Sequence, residues 1–243
     1  MSRRFFVSTT CITQDQAILR GSEFHHLRRV LRLPIGASVV LKDDQGREHL
    51  GEIVHLSSTE ATIALTATNE APEPQFSLTL AQGLLKGAKM DFVIEKATEL
   101  GVRRFIPFHS TFTIATVSTD KQSNRVARWQ RIAQSAAKQS GSHTPTIDLP
   151  QSFSHLLGML PSEGTTILCY EKESDVTLKT FAEQHPRLAS LCLIVGPEGG
   201  FSPEEVESAR AAKINIVSLG GRILRAETAG VVASALCQFL WDD

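Results

Sequence analysis

Hydrophobic and polar positions alternate differently in the two parts of this chain. Up to about residue 70, the runs "SVVLKD", "EHLGEIVHL" and "ATIAL" predict short strands, and "DDQG" (43–46) predicts a hairpin turn between the first two. Before them, "SEFHHLRRVLRL" has helical spacing, and we expect Ser22 to cap this helix and Pro34 to end it. Several short strands with one helix indicate a small β-barrel.

Beyond the two prolines of "NEAPEPQ" (69–75), longer apolar runs alternate with amphipathic segments. The runs "FSLTLAQGLL", "RRFIPFHS", "TTILCYE", "LCLIVG" and "INIVSL" predict strands that are buried on both faces. Between them, "AKMDFVIEKATELG" and "NRVARWQRIAQSAAKQSG" predict helices, the first ending at Gly101. This alternation indicates an α/β domain with a largely parallel sheet. We therefore divide the chain into residues 1–71 and 72–243.

Composition narrows the class of protein. The 243 residues carry a formal net charge of -1, so no global basic field indicates a nucleic-acid partner, although a local basic patch would suffice for one. The four cysteines are scattered without a CxxC pair, which is typical of a reduced, cytoplasmic protein with free thiols. We see no secretory signal, and no stretch approaches the roughly 18 apolar residues of a membrane-spanning helix.

The first glycine-rich segment follows the strand "LCLIV" and reads "GPEGG", Gly196 to Gly200. Ser202, Pro203 and Glu205 then have the spacing of a helix start with a capping box. In open α/β sheets, ligands bind at such strand-to-helix crossings, where glycines let the ligand approach the backbone. An ordinary tight turn would have the same spacing, so both interpretations stay open at this point.

The second glycine-rich segment reads "LGGRILRAETAG", Leu219 to Gly230. We expect the last helix to begin at Arg225 or Ala226, where a positive charge opposes the helix dipole and Glu227 has the favourable sign. Arg225 could simply reach a surface carboxylate. Alternatively, it could face an anion or a developing negative charge, an interpretation favoured by two glycine-rich crossings that open onto one edge of the sheet.

Other well-known chemical signatures are missing from the sequence. It contains no GxGxxG, no GxxxxGK[ST], no GxSxG and no HExxH. His25 and His26 are adjacent and cannot share one helical face, so we expect no metal site.

Basic residues recur in three groups, each of which alone could be an ordinary solvated face. Three groups in a chain of nearly zero net charge favour a one-sided RNA-binding surface. The candidate RNA-binding residues are Arg20, Arg28, Arg29, Arg32, Lys86, Lys89, Arg128 and Arg131.

Three segments occur in an order that resembles a known family. "KMDFVIEKATELGV", "LIVGPEGGFSPEEVE" and "SLGGRILRAETA" are similar to segments of the RsmE-type 16S ribosomal RNA (uracil-N3)-methyltransferases of the SPOUT superfamily. The N-terminal "FHHLRRVLRLPIGASVVL" resembles the PUA-like RNA-binding barrel of that family. The resemblance covers nearly the whole chain, and its last two motifs are specific in combination.

The resemblance implies a trefoil-knotted α/β methyltransferase domain after the barrel, a homodimer, and S-adenosyl-L-methionine bound in a bent conformation by the knot loops. Carried over by motif, the cofactor-binding residues are Leu168, Tyr170, Glu171, Gly196, Pro197, Glu198, Gly199, Gly200, Leu219, Gly220, Ile223, Leu224, Thr228 and Ala229. One departure from the family is Ser142 and His143, which stand where members usually have an arginine soon after the glutamine of the middle helix.

The implied activity is methylation of uracil N3 in 16S rRNA, with the small ribosomal subunit as the expected partner. Because N3 is protonated at neutral pH, catalysis has to favour the anionic base, and an arginine at a uracil oxygen would stabilise it. Arg225 is the first candidate and Arg222 the second, with Glu227 as an orienting partner. The general base could be Glu227 or water. Two alternatives are a methyltransferase of the same fold acting on another nucleotide or on tRNA, and a non-catalytic RNA-binding protein of ribosome assembly.

Overall fold

The computed structural model describes residues 4–70, 75–114, 119–160 and 164–242, without the side chains of residues 119–121. It divides into two units, Met1–Glu73 and Pro74–Asp243. The boundary expected between residues 71 and 72 lies outside the described residues. Among the helices described, none has the length and apolar character needed to span a membrane.

The N-terminal unit is a five-stranded sheet in the order β1-β3-β4-β5-β2. Its strands are β1 Arg4–Val7, β2 Gln16–Arg20, β3 Ser38–Asp43, β4 Glu48–Leu56 and β5 Glu60–Asn69. The edge strands β1 and β2 approach each other, so the sheet curls around its own core. The three strands predicted from alternation are present, and the Gly46 amide donates to the Asp43 carbonyl oxygen at 3.1 Å in the expected hairpin turn.

The N-terminal helix differs from the prediction at both ends. Helix α1, Gly21–His25, continues into a π-helical turn, His26–Val30. Ser22 is not its cap, because Gly21 already turns the chain out of β2 with a φ of 60°, a conformation that glycine adopts without strain. The cap residue is Arg20, which makes no side-chain cap bond. The helix ends well before Pro34.

The C-terminal unit is built on a parallel sheet in the order β12-β10-β11-β6-β7-β8, with the short β9 also paired to β7. Its strands are β6 Ser77–Gly83, β7 Arg104–His109, β8 Thr146–Ile147, β9 Gln151–Ser152, β10 Thr165–Cys169, β11 Ser190–Val195 and β12 Asn215–Val217. The predicted parallel α/β architecture is confirmed.

Helices cover both faces of this sheet. They are α2 Lys89–Glu99, α3 Thr119–Ser140, α4 Phe153–Met159, α5 Leu178–Gln184, α6 Pro203–Ala211 and α7 Ala226–Trp241. Along β11, Leu193 and Val195 belong to the core cluster formed with α2, α3, α5 and α7, whereas Ile194 belongs to the cluster formed with α4 and α6. The central strand is therefore buried on both sides, as its apolar sequence predicts.

Helix α2 ends as its sequence predicts. Gly101 has a φ of 85°, and its amide donates to the Thr98 carbonyl oxygen at 3.0 Å, while the Val102 amide donates to that of Ala97 at 3.0 Å. The trefoil knot stays a prediction.

Candidate functional site

The carboxyl ends of the neighbouring parallel strands β10, β11 and β12 converge on a single cavity of about 430 Å³. The loop after each strand contributes to its wall: Tyr170 and Glu171 after β10, Gly196 to Phe201 after β11, and Leu219, Gly220 and Arg222 to Arg225 after β12. The first turn of α7 and the start of α2 complete the lining. Cavities of this size are typical of small-molecule sites.

The loop after β11 is held at its far end by the start of α6. Ser202 Oγ accepts a hydrogen bond from the Glu205 amide at 3.2 Å, and Glu205 Oε2 accepts one from the Ser202 amide at 2.9 Å, which confirms the predicted capping box. The other oxygen of Glu205 accepts a bond from the Thr111 amide at 2.8 Å. One buried carboxylate thus fixes both the helix start and the segment after β7.

The same loop is packed closely against the rest of the sheet edge. A Cβ on Gly83 would overlap the backbone of Pro197, and a Cβ on Gly199 would lie 2.6 Å from Cβ of Phe112. The side-chain amide of buried Gln82 donates a hydrogen bond to the Gly196 carbonyl oxygen at 3.1 Å. The loop therefore has little freedom to move away from β6.

The loop after β12 leaves backbone open to the cavity. Gly220 has a φ of 110°, and a Cβ placed on it would meet no atom within 4 Å. Helix α7 begins at Ala226 with Arg225 as its cap residue, as predicted. Arg222 and Arg225 line the cavity, and neither guanidinium group has a hydrogen-bond or ion-pair partner within the described parts of the chain.

Acidic side chains and one lysine also line the cavity. The Lys89 ammonium lies 3.2 Å from Glu198 Oε1 and 3.5 Å from Glu227 Oε2. Partial burial acts to raise the pKa of Glu198, but hydrogen bonds from the Lys86 amide and the Lys89 ammonium outweigh it and lower that pKa. The hydrogen bond to Glu198 also raises the pKa of Lys89, so this ammonium group stays charged at neutral pH.

Most candidate site residues from the sequence meet at this cavity. All three catalytic candidates line it, and so do these cofactor candidates: Tyr170, Glu171, Gly196, Pro197, Glu198, Gly199, Gly200, Leu219, Gly220, Ile223, Leu224 and Ala229. Leu168 does not line it, because its side chain is buried in the core on the α4 and α6 side of the sheet. Thr228 is exposed and lies outside the lining.

Five residues that line the cavity were not predicted from the sequence to do so. Cys169 and Val195 are the last residues of β10 and β11, Phe201 and Ala226 adjoin the two glycine-rich loops, and Lys89 was expected at an RNA surface instead. Position at a strand end could have indicated the first two. No local signal pointed to Lys89, because its partners are more than 100 residues away in sequence.

The candidate RNA-binding residues differ in whether their side chains already interact with other groups of the protein. In the N-terminal unit, Arg28, Arg29 and Arg32 are exposed and have no ion-pair partner in the part of the chain that the structure describes, whereas Arg20 pairs with Glu60 at 2.7 Å. In the C-terminal unit, Arg128 pairs with Asp91, Arg131 donates to the Ala127 carbonyl oxygen at 3.4 Å, and Lys86 is exposed.

Potential metal ligands are not clustered in the described ranges. Within them, no three His, Cys, Asp or Glu side chains are grouped so that they could hold a metal ion.

Ser142, which stands where family members usually have an arginine, has a structural contact. Its Oγ donates a hydrogen bond to the Thr98 carbonyl oxygen at 3.0 Å, so this side chain connects the segment after α3 to the end of α2.

Family models match both units. An RNA methyltransferase domain matches residues 71–238, and an RNA methyltransferase PUA domain matches residues 19–66. The ribosomal RNA small subunit methyltransferase E of Bacillus subtilis is 30% identical over 95% of this chain and 94% of its own length. The protein of that name from Synechocystis is 33% identical over 97% of this chain and 77% of its own length.

Solved structures show the same similarity in three dimensions. A ribosomal RNA small subunit methyltransferase E from Neisseria gonorrhoeae bound to S-adenosyl methionine is 30% identical, with a TM-score of 0.83, covering 99% of this chain and 98% of that chain. A putative methyltransferase from Legionella pneumophila in complex with the same cofactor is 25% identical, with a TM-score of 0.81, covering 100% of this chain and 99% of that one.

Proposed function

The chain belongs to the ribosomal RNA small subunit methyltransferase E family, and on that premise we propose that it transfers a methyl group from S-adenosyl-L-methionine to N3 of a specific uridine in 16S rRNA. The observation that carries this proposal is the convergence of the two glycine-rich loops, with Arg222 and Arg225, on one cavity at the carboxyl edge of a parallel sheet. This edge is where ligands bind in open α/β folds.

The cavity fits the cofactor in size and chemistry. Its volume of about 430 Å³ and the open backbone at Gly220 leave room that a side chain would fill. Val195, Phe201 and Leu224 supply apolar surface for an adenine ring, and Glu171 and Glu198 supply acceptors for hydroxyl or ammonium groups. We assign cofactor binding to the candidate residues that line the cavity, which excludes Leu168 and Thr228. When bound, the cofactor supplies an electrophilic methyl group.

The residues of this chain then have to favour loss of the uracil N3 proton and stabilise the anion that results. Its N3 proton must leave before or as the nitrogen lone pair forms the new bond to the methyl carbon, while the electron pair of the breaking C–S bond goes to sulfur. The unpaired guanidinium of Arg225, or that of Arg222, stabilises negative charge on a uracil oxygen. Glu227 lines the cavity, and the Lys89 ammonium lies 3.5 Å from its buried Oε2, so in this proposal the proton passes to the Glu227 carboxylate or to water.

In this proposal one unit binds the RNA and the other transfers the methyl group. The PUA-like unit, residues 1–71, docks the RNA through Arg20, Arg28, Arg29 and Arg32, and residues 72–243 carry out methyl transfer, with Lys86, Arg128 and Arg131 contacting the RNA. An arginine without an ion-pair partner can neutralise phosphate without first breaking a contact, which favours Arg28, Arg29 and Arg32. The target base has to be unpaired or extruded to reach the cavity.

We further propose that the enzyme acts in the cytoplasm as a homodimer, with the small ribosomal subunit as its substrate. Support for the dimer comes from α7, on which Val232, Leu236 and Phe239 are exposed at helical spacing, Phe239 by 85%. A second copy of the chain would remove this apolar stripe from water.

A transfer assay tests the function. The protein is incubated with cofactor that is labelled in its methyl group and with small ribosomal subunits lacking the modification, with naked rRNA and tRNA in parallel. We expect label in the 16S rRNA of the subunit. No transfer to any of the three RNAs would contradict the proposal, and transfer to tRNA alone would assign another substrate.

A further inference from the structure

Lys89 occupies an unusual position for a lysine at the start of a helix. It is the first residue of α2, where the helix dipole disfavours a positive charge, and the cap residue Ala88 makes no side-chain cap bond. Such a placement needs a compensating interaction. The two carboxylates of Glu198 and Glu227 supply it, at 3.2 and 3.5 Å from the ammonium nitrogen.

The two carboxylates belong to different parts of the cavity wall. Glu198 lies within the loop after β11, and Glu227 lies in the first turn of α7, directly after the loop that follows β12. Their side chains are 23% and 14% exposed, so solvent screens their mutual repulsion only in part. The backbone next to Lys89 takes part as well, because the Lys86 amide donates to Glu198 Oε1 at 3.2 Å.

We propose that Lys89 is a positioning residue for methyl transfer: its ammonium group joins Glu198 to Glu227 and so fixes the loop after β11 relative to Glu227, the carboxylate that the proposed mechanism uses. This inference rests on the proposed function, which makes the cavity the transfer site. An RNA contact by Lys89 stays a prediction, but in the structure its ammonium group is engaged by the two carboxylates.

Removal of the ammonium group has a definite consequence. Two carboxylates that face one cavity then lack their shared cation, and they separate or take up water or protons. The loop after β11 and the start of α7 lose the ion pairs that connect them. We therefore expect methyl transfer to become slower and these two segments to become more mobile. If Lys89 contacted only RNA, its removal would leave the mobility of the two segments unchanged.

The test compares Lys89→Met with Lys89→Arg and with a matched control on the same helix. Lys96→Met is that control, because Lys96 also bridges two glutamates, Glu95 at 2.7 Å and Glu99 at 2.9 Å, but does not line the cavity. Single-turnover methyl transfer is measured at saturating cofactor and RNA. We expect Lys89→Met to slow it about 10- to 100-fold, the usual effect of losing a hydrogen bond to a charged group. Lys89→Arg should restore most of the rate, and Lys96→Met should match wild type.

A double variant separates positioning from a general loss of structure. If Lys89 acts through Glu227, the effects of Lys89→Met and Glu227→Gln on the rate do not multiply in the combined variant. Multiplicative effects, an unchanged rate in Lys89→Met, or an equal loss in Lys96→Met would each overturn the inference.

Amide hydrogen exchange provides a second readout that needs neither RNA nor turnover. In Lys89→Met we expect faster exchange in the loop after β11 and in the first turn of α7, with the β6 amides unchanged. Unchanged exchange in both segments would overturn the inference. If wild type transfers no methyl group to RNA, the proposed function fails, while the exchange result still decides whether Lys89 joins the two segments.

Discussion

The side chain of Gln82 lies so close to Gly230 that a Cβ on this glycine would overlap Gln82 Oε1. Gln82 is fully buried at the carboxyl end of β6, and its amide nitrogen also donates to the carbonyl oxygens of Val195 and Gly196 at 3.4 and 3.1 Å. A single side chain therefore packs against the last helix and holds the loop after β11. The glycine in "ETAG" is required for this close approach.

Alanine at Gly230 should destabilise the protein, although glycine-to-alanine changes inside helices usually stabilise. We expect the overlap with Gln82 to lower the free energy of unfolding by about 1–3 kcal/mol, the usual range for overpacking a core. Gly158→Ala is the control: Gly158 also lies in a helix, α4, and a Cβ there would meet nothing within 4 Å. We expect that change to raise stability by about 0.4–1 kcal/mol. Denaturant unfolding measures both, and a stabilising Gly230→Ala would contradict the packing described.

Much of the fold could be predicted from the sequence, and the exceptions have local causes. The buried parallel strands, helix α2 with its end at Gly101, and the capping box of Ser202 and Glu205 follow from periodicity and terminal residues. The short elements β1, β2, β8, β9, α4 and α5 were missed, because segments of two to seven residues carry too little pattern. The start of α1 was wrong, since a positive φ at Gly21 replaced the expected serine cap.

Arg225 should act in transfer and not in cofactor binding. We expect Arg225→Ala to lower the single-turnover rate by about 10²- to 10³-fold, as for the loss of a donor at a developing anion. The affinity for the cofactor, measured by calorimetry, should change little. Arg187→Ala, at an exposed arginine outside the cavity, serves as the control. A transfer rate equal to that of wild type would remove Arg225 from the mechanism.

Valine at Gly220 should block the cofactor. Gly220 lines the cavity and a Cβ there would meet no atom within 4 Å, so we expect a valine side chain to take space that the cofactor needs and calorimetry to show no measurable binding. Because Gly220 has a φ of 110°, backbone strain accompanies this change, and Gly87→Val controls for it. Gly87 also has a positive φ, 58°, and open space around it, but it lies outside the cavity. Full cofactor affinity in Gly220→Val would exclude this loop from the binding site.

The exposed stripe on α7 should be the dimer interface. We expect wild type to sediment as a dimer and Phe239→Asp as a monomer, because a charge would be buried without a partner in place of the most exposed apolar side chain of the stripe. Ile35→Asp changes an equally apolar residue, 59% exposed, in the N-terminal unit, and it should leave the dimer intact. A wild-type monomer, or a Phe239→Asp dimer, would contradict the proposed assembly.

The loops that form the site could be predicted from the sequence, but the ion pairs among its charged side chains could not. Glycines directly after buried strands indicate ligand-binding loops from the local sequence alone. The family motifs add Tyr170 and Glu171 to the predicted site. The pairing of Lys89 with Glu198 and Glu227 depends on the order of the strands, which brings the start of α2 beside the loop after β11 and the first turn of α7, both distant in sequence. Leu168 shows the limit of motif transfer, since alternation along β10 turns its side chain to the far face of the sheet.

Nucleoside analysis of the modified RNA tests the central claim most directly. Small subunits are incubated with the protein and cofactor, and the 16S rRNA is digested and mapped by mass spectrometry, with Arg225→Ala in parallel. We predict 3-methyluridine at a single position with wild type and very little with the variant. A methyl group on another nucleoside, or on a ribose oxygen, would contradict the assignment of uracil N3 as the acceptor.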